Sequence, residues 1–179
     1  MRKSILLCVI VSALFALAGC ATTLPDFPGV EGITNFDRVN DGLYRGAQPN
    51  SLGLQSLARL GIKTIINLRQ TNEVWAVEAA EAQALGITYT NVPMSGVDRP
   101  TDQQVEQVLA LLETAPAPVF IHCLRGADRT GTIIACYRIQ HDQWTSAQAM
   151  SEADQHGMSV WEVGMKNFVK DFAKAHGSN

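Results

Sequence analysis

The sequence predicts an α/β fold with a central, mostly parallel sheet of four or five strands flanked by helices. Three observations carry this. Short strand-like runs alternate with helical patterns from Leu43 to His122. One of those runs, Ile62 to Leu68, is β-branched and bounded by Gly61 and polar residues, which suits a strand buried on both faces. Everything after Asp128 reads as helix.

The elements follow in order. Asp41 and Gly42 mark a turn, Leu43 to Arg45 is a short strand, and Pro49 with Asn50 opens a helix running to Leu60, where Gly61 stops it. After the Ile62 to Leu68 strand, a helix is expected from about Asn72 to Leu85, ended by Gly86. Ile87 to Val92 alternates as a strand, and Pro93 to Pro100 is a loop rich in breakers. Thr101 with Gln104 forms a capping box for a helix to Thr114, with Val105, Val108, Leu109 and Leu112 on its buried side. Pro116 and Pro118 end it, and Val119 to His122 is a buried strand. Helices are expected over Arg129 to His141, Thr145 to Gln155 (Thr145 and Gln148 repeating the capping box) and Trp161 to Ala175.

The amino terminus has a different character. Arg2 and Lys3 precede an apolar run from Ile5 to Leu17, the layout of a secretory signal and too short for a spanning helix. Leu17, Ala18, Gly19 and Cys20 resemble a bacterial lipobox, which implies cleavage before Cys20, its acylation, and a firm membrane anchor in the cell envelope facing the periplasm. Ala21 rather than Asp after the cysteine implies, by the same resemblance, the outer membrane. The expected organisation is a signal over 1–19, a lipidated tether over 20–35 marked by Pro25, Pro28, Gly29 and Gly32, and one domain over 36–179.

Without Arg2 and Lys3 the chain carries 12 basic and 17 acidic residues, a formal charge of −5, which argues against nucleic acid as a partner. With Cys8 in the signal and Cys20 lipidated, Cys123 and Cys136 remain, and no disulfide framework is available. Cys136 lies too far along the following helix to bridge Cys123 and is read as a core residue. His141, His156 and His176 are too widely spaced to form a recognisable metal-ligand set, and neither a metal nor another cofactor is expected.

Chemistry concentrates in His122-Cys123-Leu124-Arg125-Gly126-Ala127-Asp128-Arg129-Thr130-Gly131, which joins a buried strand to a helix. A tight turn there aims successive N–H groups of Leu124, Arg125, Gly126, Ala127 and Asp128 at one point, and the helix amino terminus adds its own donors. Gly126 permits the turn. Arg129, six residues after Cys123, can bring its planar fork round to two phosphate oxygens. The same positive field favours a nucleophilic thiolate at Cys123.

This segment resembles the cysteine-based protein tyrosine phosphatases, whose motif is His-Cys, five residues, then Arg followed by Ser or Thr; every fixed position matches. With Leu43-Tyr44-Arg45, Gln48-Pro49 and Asn67-Leu68-Arg69 the chain is similar to the compact bacterial and fungal dual-specificity type over roughly Asp41 to Met158. The resemblance implies the cysteine phosphatase fold and metal-free phosphoester hydrolysis. It gives Cys123 the role of nucleophile, Arg129 that of clamp, Thr130 that of the hydroxyl stabilising the leaving thiolate, and His122 that of ordering the loop. It also implies an aspartic acid on a neighbouring loop as general acid: Asp98, in the Pro93 to Pro100 loop, is favoured over Asp102, which the helix dipole alone explains. Arg69 either faces the phosphate mouth or forms a surface ion pair; Tyr44 and Trp75 are packing residues.

Substrate is less constrained. A compact chain with no long rim favours phosphotyrosine with tolerance for phosphoserine and phosphothreonine. The alternatives are an inositol polyphosphate or other small-molecule phosphatase, which Arg125 favours and Asp128 opposes, and a phosphate-binding pseudophosphatase, which the intact Cys123, Arg129 and Thr130 oppose. A sulfurtransferase shares a cysteine in a looped nest but has no required general acid.

Overall fold

The computed structural model describes residues 30–177. Five strands, β1 (Asp37–Asn40), β2 (Leu43–Gly46), β3 (Thr64–Asn67), β4 (Thr88–Asn91) and β5 (Val119–His122), form one sheet in the order β1-β2-β5-β3-β4. β1 and β2 are antiparallel, and the other pairings are parallel, so β5 lies at the centre. The helices are α1 (Ser51–Arg59), α2 (Glu78–Ala84), α3 (Asp102–Thr114), α4 (Asp128–Asp142), α5 (Ser146–Gln155) and α6 (Val163–Ala175).

Alternation along the central strands fills two apolar layers. Ile66 of β3 and Ile121 of β5 face a core completed by Val105 and Val108 of α3, Ile133 and Ile134 of α4, and Phe168 of α6. Their neighbours Ile65 and Phe120 point the other way, onto Leu54 and Leu57 of α1 and Ala82 of α2. Both expected capping boxes are present, on Thr101 and Thr145, with the glutamine three residues on closing each.

Some expectations need correction. β1 was not foreseen; it is a polar edge strand that turns through Asp41 and Gly42. The helix expected from Asn72 begins only at Glu78, because the preceding residues form a turn that carries the Glu73 side chain to Arg129, with Oε2 2.8 Å from Nη1. Leu112 is only half-buried. The last helix starts at Val163, leaving Trp161 in the turn before it. Residues 30–35, assigned to the tether, belong to the packed domain. Ile33 is in the core, and Gly32 (φ +83°) approaches α1 so closely that a Cβ there would lie 2.3 Å from the Gly53 nitrogen. The signal and Cys20 lie outside the described residues.

Candidate active site

The loop between β5 and α4 opens at the carboxyl end of the central strand, where parallel sheets place their ligands. Its shape is imposed from outside. The Leu124 carbonyl accepts from the Gln48 N–H at 3.2 Å, the Arg125 carbonyl from Asn35 Nδ2 at 3.0 Å, and the Gly126 carbonyl from Arg45 Nη2 at 2.8 Å. With consecutive carbonyls pulled outward, the N–H groups of the same peptides turn inward, and no described residue accepts from Leu124, Arg125, Gly126 or Ala127. Gly126 sits at φ +69°, and a Cβ there would lie 2.4 Å from the Gly46 carbonyl carbon, so the loop closes on β2 only with glycine.

Cys123 is buried at the base of this nest as a free thiol. Cys136 is also a free, fully buried thiol in the same core layer, where desolvation pushes it far up, as suits an inert core cysteine. Arg129 is buried, and its Nη1 donates to Glu73 Oε2 at 2.8 Å and to the Met94 carbonyl at 3.3 Å. All its protein hydrogen bonds leave through Nη1, so Nε and Nη2 keep their N–H groups for a ligand. Glu73 is held below the ordinary carboxylate range by its hydrogen bond with Arg129. Thr130 Oγ1 is buried without a hydrogen-bonding partner, the cysteine sulfur included.

Of the variable loop positions, Arg125 turns onto Asp128, Nη2 to Oδ2 at 2.5 Å, while Asp128 Oδ1 accepts from the Ser159 N–H at 2.8 Å. Asp128 is thus a brace between the nest and the turn before α6. Asp98 is exposed, with Oδ2 accepting from Ser95 Oγ at 2.8 Å. The same loop brings Gly96 against the Arg129 guanidinium, where a Cβ would be 3.8 Å away. Asp102 instead borders a cavity of about 350 Å³ lined by Arg99, Phe168, Asp171 and Phe172 among others, none of them from the cysteine loop. Arg69 donates to Gln48 Oε1 at 3.0 Å and lies 3.9 Å from Glu73, which joins it to the clamp's neighbours. Tyr44 and Trp75 pack on the α1 layer, Tyr44 stacking on Phe36.

Sequence reasoning missed the side chains that hold the loop. Arg45 is fully buried beneath it; desolvation lowers its guanidinium to about 10, while Cys123 is among the groups drawing it back up. Below His122 lies Glu78, also fully buried, with Oε1 2.9 Å from Nε2; the approach is not aligned as a hydrogen bond and neither atom has another partner. Glu78 Oε2 accepts from Asn67 Nδ2 at 2.8 Å and from the Tyr89 hydroxyl at 3.2 Å. His122 Nδ1 lies 3.3 Å from the Cys123 carbonyl. The other histidines are elsewhere: His141 pairs with Asp142, His156 with Asp37, and His176 stacks on Phe172.

Residues 19–171 match the family model described as PTP-NADK, DSP-PTPase phosphatase fused to NAD+ kinase. The dual specificity protein phosphatase TpbA of Pseudomonas aeruginosa is 32% identical over 148 residues, 80% of this chain, and the chain spans 64% of that relative's length. The crystal structure of a cysteine-to-serine variant of P. aeruginosa TpbA in complex with phosphotyrosine superposes with a TM-score of 0.67 at 26% identity, covering 81% of this chain and 91% of that one. The core catalytic domain of the PP-IP phosphatase SIW14 from S. cerevisiae, in complex with citrate, gives 0.71 at 26% identity over 79% and 87% of the two chains. The loop, the sheet that presents it and these likenesses agree: the chain belongs to the cysteine-based, dual-specificity-type phosphatase superfamily.

Proposed function

We propose that the chain is a metal-independent protein phosphatase that hydrolyses phosphotyrosine, with tolerance for phosphoserine and phosphothreonine, through a phosphocysteine on Cys123. The observation that carries this is the nest itself: carbonyls of Leu124, Arg125 and Gly126 held outward, with the Arg129 fork beside them. The phosphate's three non-bridging oxygens take the inward N–H groups and the free edge of Arg129. The Cys123 thiolate attacks phosphorus, the bond to the leaving oxygen breaks, and Asp98 gives that oxygen its proton. Water then attacks the phosphocysteine, Asp98 takes back a proton, and the sulfur leaves as thiolate with Thr130 donating to it. The positive charge this reaction needs is already supplied by Arg129, Arg45 and the α4 amino terminus, so no step requires a metal.

The likeness to SIW14 favours a second reading, an inositol polyphosphate phosphatase. Such a substrate needs further cations at the mouth. Arg125 is tied to Asp128 and Arg69 to Gln48 and Glu73, which supports a substrate with one phosphate.

For the general acid, the placement of Gly96 against Arg129 supports Asp98 over Asp102. A phosphoester panel run with chelator present tests both points. Wild type should turn over aryl phosphates undiminished, and Asp98→Asn should lower kcat by about 10²-fold on a poor leaving group, with Asp102→Asn near wild type. Loss of turnover with chelator, or the reverse order of the two variants, would overturn the assignment.

We also propose that Cys20 carries lipid and anchors the domain in the cell envelope facing the periplasm, at the outer membrane by the lipobox resemblance of residues 17–21. Labelled palmitate should enter the wild type and be absent from Cys20→Ala; equal labelling of both would remove the anchor.

A further inference from the structure

The large apolar side chains that escape burial are not scattered. Among the described residues, those more than half exposed are Val97, Leu124, Val160, Trp161 and Val163, and Trp161 leads at 85%. All belong to loops, or the first turn beyond one, that border the nest. Leu124 follows the nucleophile. Val97 follows Gly96, the residue against the Arg129 guanidinium. Val160 and Trp161 ride on the turn that Ser159 fastens to Asp128, its N–H donating to Oδ1 at 2.8 Å and its Oγ accepting from the Trp161 N–H at 3.2 Å. Isolated exposed apolar residues need no explanation, but a concentration of them around one site marks a contact surface.

Charge narrows what that surface meets. The cations near it are taken: Arg125 by Asp128 at 2.5 Å, and Arg99 by Asp171 at 3.0 Å. Glu162 stands between Trp161 and Val163, and its carboxyl is pushed up by burial and then by Asp128, with Asp98 adding to the effect and Arg125 and Arg129 opposing it. Outside the phosphate nest the rim is therefore apolar and acidic.

We propose that these loops form a docking collar for a phosphorylated polypeptide, with Trp161 as its main contact for apolar residues beside the phosphorylated one and Glu162 selecting basic ones. The collar rests on the phosphatase reading above and adds sequence context to it. Acidic flanks and polyanionic ligands are disfavoured by the Glu162 carboxylate. An anionic lipid surface is disfavoured for the same reason.

The test measures kcat/KM of the full chain for free phosphotyrosine and for two phosphotyrosyl peptides, one flanked by leucine and lysine, the other by glutamate. Wild type should prefer the first peptide over both other substrates. Trp161→Ala should lower the ratio of that peptide to free phosphotyrosine by about tenfold, the scale of a tryptophan anchor, and Glu162→Gln should narrow the gap between the two peptides. If free phosphotyrosine is hydrolysed but neither variant moves these ratios, the collar is wrong and the phosphatase reading stands. If wild type hydrolyses none of the substrates, both fall. Sedimentation with phosphatidylglycerol vesicles should be equal for wild type and Trp161→Ala; a loss in the variant would assign the surface to membrane and overturn the proposal.

Discussion

Cys123→Ser should lower kcat on an aryl phosphate by about 10⁴-fold or more, the scale on which removing an activated nucleophile acts, with the melting temperature and phosphotyrosine affinity nearly unchanged. The side chain is buried at the base of a loop whose shape comes from Asn35, Arg45 and Gln48, not from the sulfur. A hydroxyl there keeps the volume and leaves the nest's donors in place, but it is not ionised at neutral pH. Arg129→Lys should cost about 10³-fold for a different reason. The guanidinium fastens itself to Glu73 and the Met94 carbonyl through Nη1 and still has Nε and Nη2 for oxygens. One ammonium cannot do both. Stopped-flow and steady-state assays on both variants, with peptide binding measured in parallel, separate loss of chemistry from loss of binding. Residual turnover in Cys123→Ser above about one per cent of wild type would exclude a phosphocysteine route.

The parts of this site that could be read in the sequence are those that are local in it. His122 to Gly131 is one continuous segment, and its strand, turn and helix start all follow from neighbouring residues. Asp98 came from the family resemblance, which implies an aspartic acid on a neighbouring loop; only the breaker-rich loop that carries it is a local pattern, and its role as general acid is a proposal. What holds the loop was hidden because each contact joins distant segments. Asn35 lay in a stretch whose prolines and glycines suggested a tether, and its Nδ2 donates to the Arg125 carbonyl, 90 positions on, and to the His156 carbonyl, 121 positions on. Arg45 sat in a strand candidate, where a charge ordinarily signals an outward face; here it is fully buried because the Gly126 carbonyl needs a donor. The helix expected from Asn72 failed for the same reason. Residues 72–77 have nothing locally against helix, but Glu73 is drawn to Arg129 and the backbone turns to permit it. The polar edge strand β1 shows no apolar alternation, since it has one paired neighbour and little to bury.

Glu78→Ala should produce the opposite pattern to Cys123→Ser: a large loss of stability, about 3 to 5 kcal/mol, which is the range for removing one partner of a buried polar or ionic pair. That corresponds to a fall in Tm of about 10 °C for a domain of this size. The carboxylate is fully buried, accepts from Asn67 Nδ2 and the Tyr89 hydroxyl, and lies 2.9 Å from His122 Nε2, so its removal takes an acceptor from β3 and β4 and the facing group from β5. Tyr89 cannot compensate by ionising: its hydroxyl is pushed up to about 12 in the wild type by burial first and the Glu78 charge second, and burial, the larger cause, remains in the variant. Asn67 Nδ2 keeps only its bond to the Tyr89 oxygen at 2.8 Å. The histidine ring stays stacked on Phe120, at 5.6 Å between centroids, but loses the group that fixes its rotation beside the Cys123 carbonyl. Thermal and urea melts of Glu78→Ala and of the near-isosteric Glu78→Gln measure the effect. Gln fills the space but brings an NH₂ to where the carboxylate accepts, so it too should destabilise, by less. A Tm within 2 °C of wild type for Glu78→Ala would show that the network is not what fastens α2 to the sheet beneath the nest.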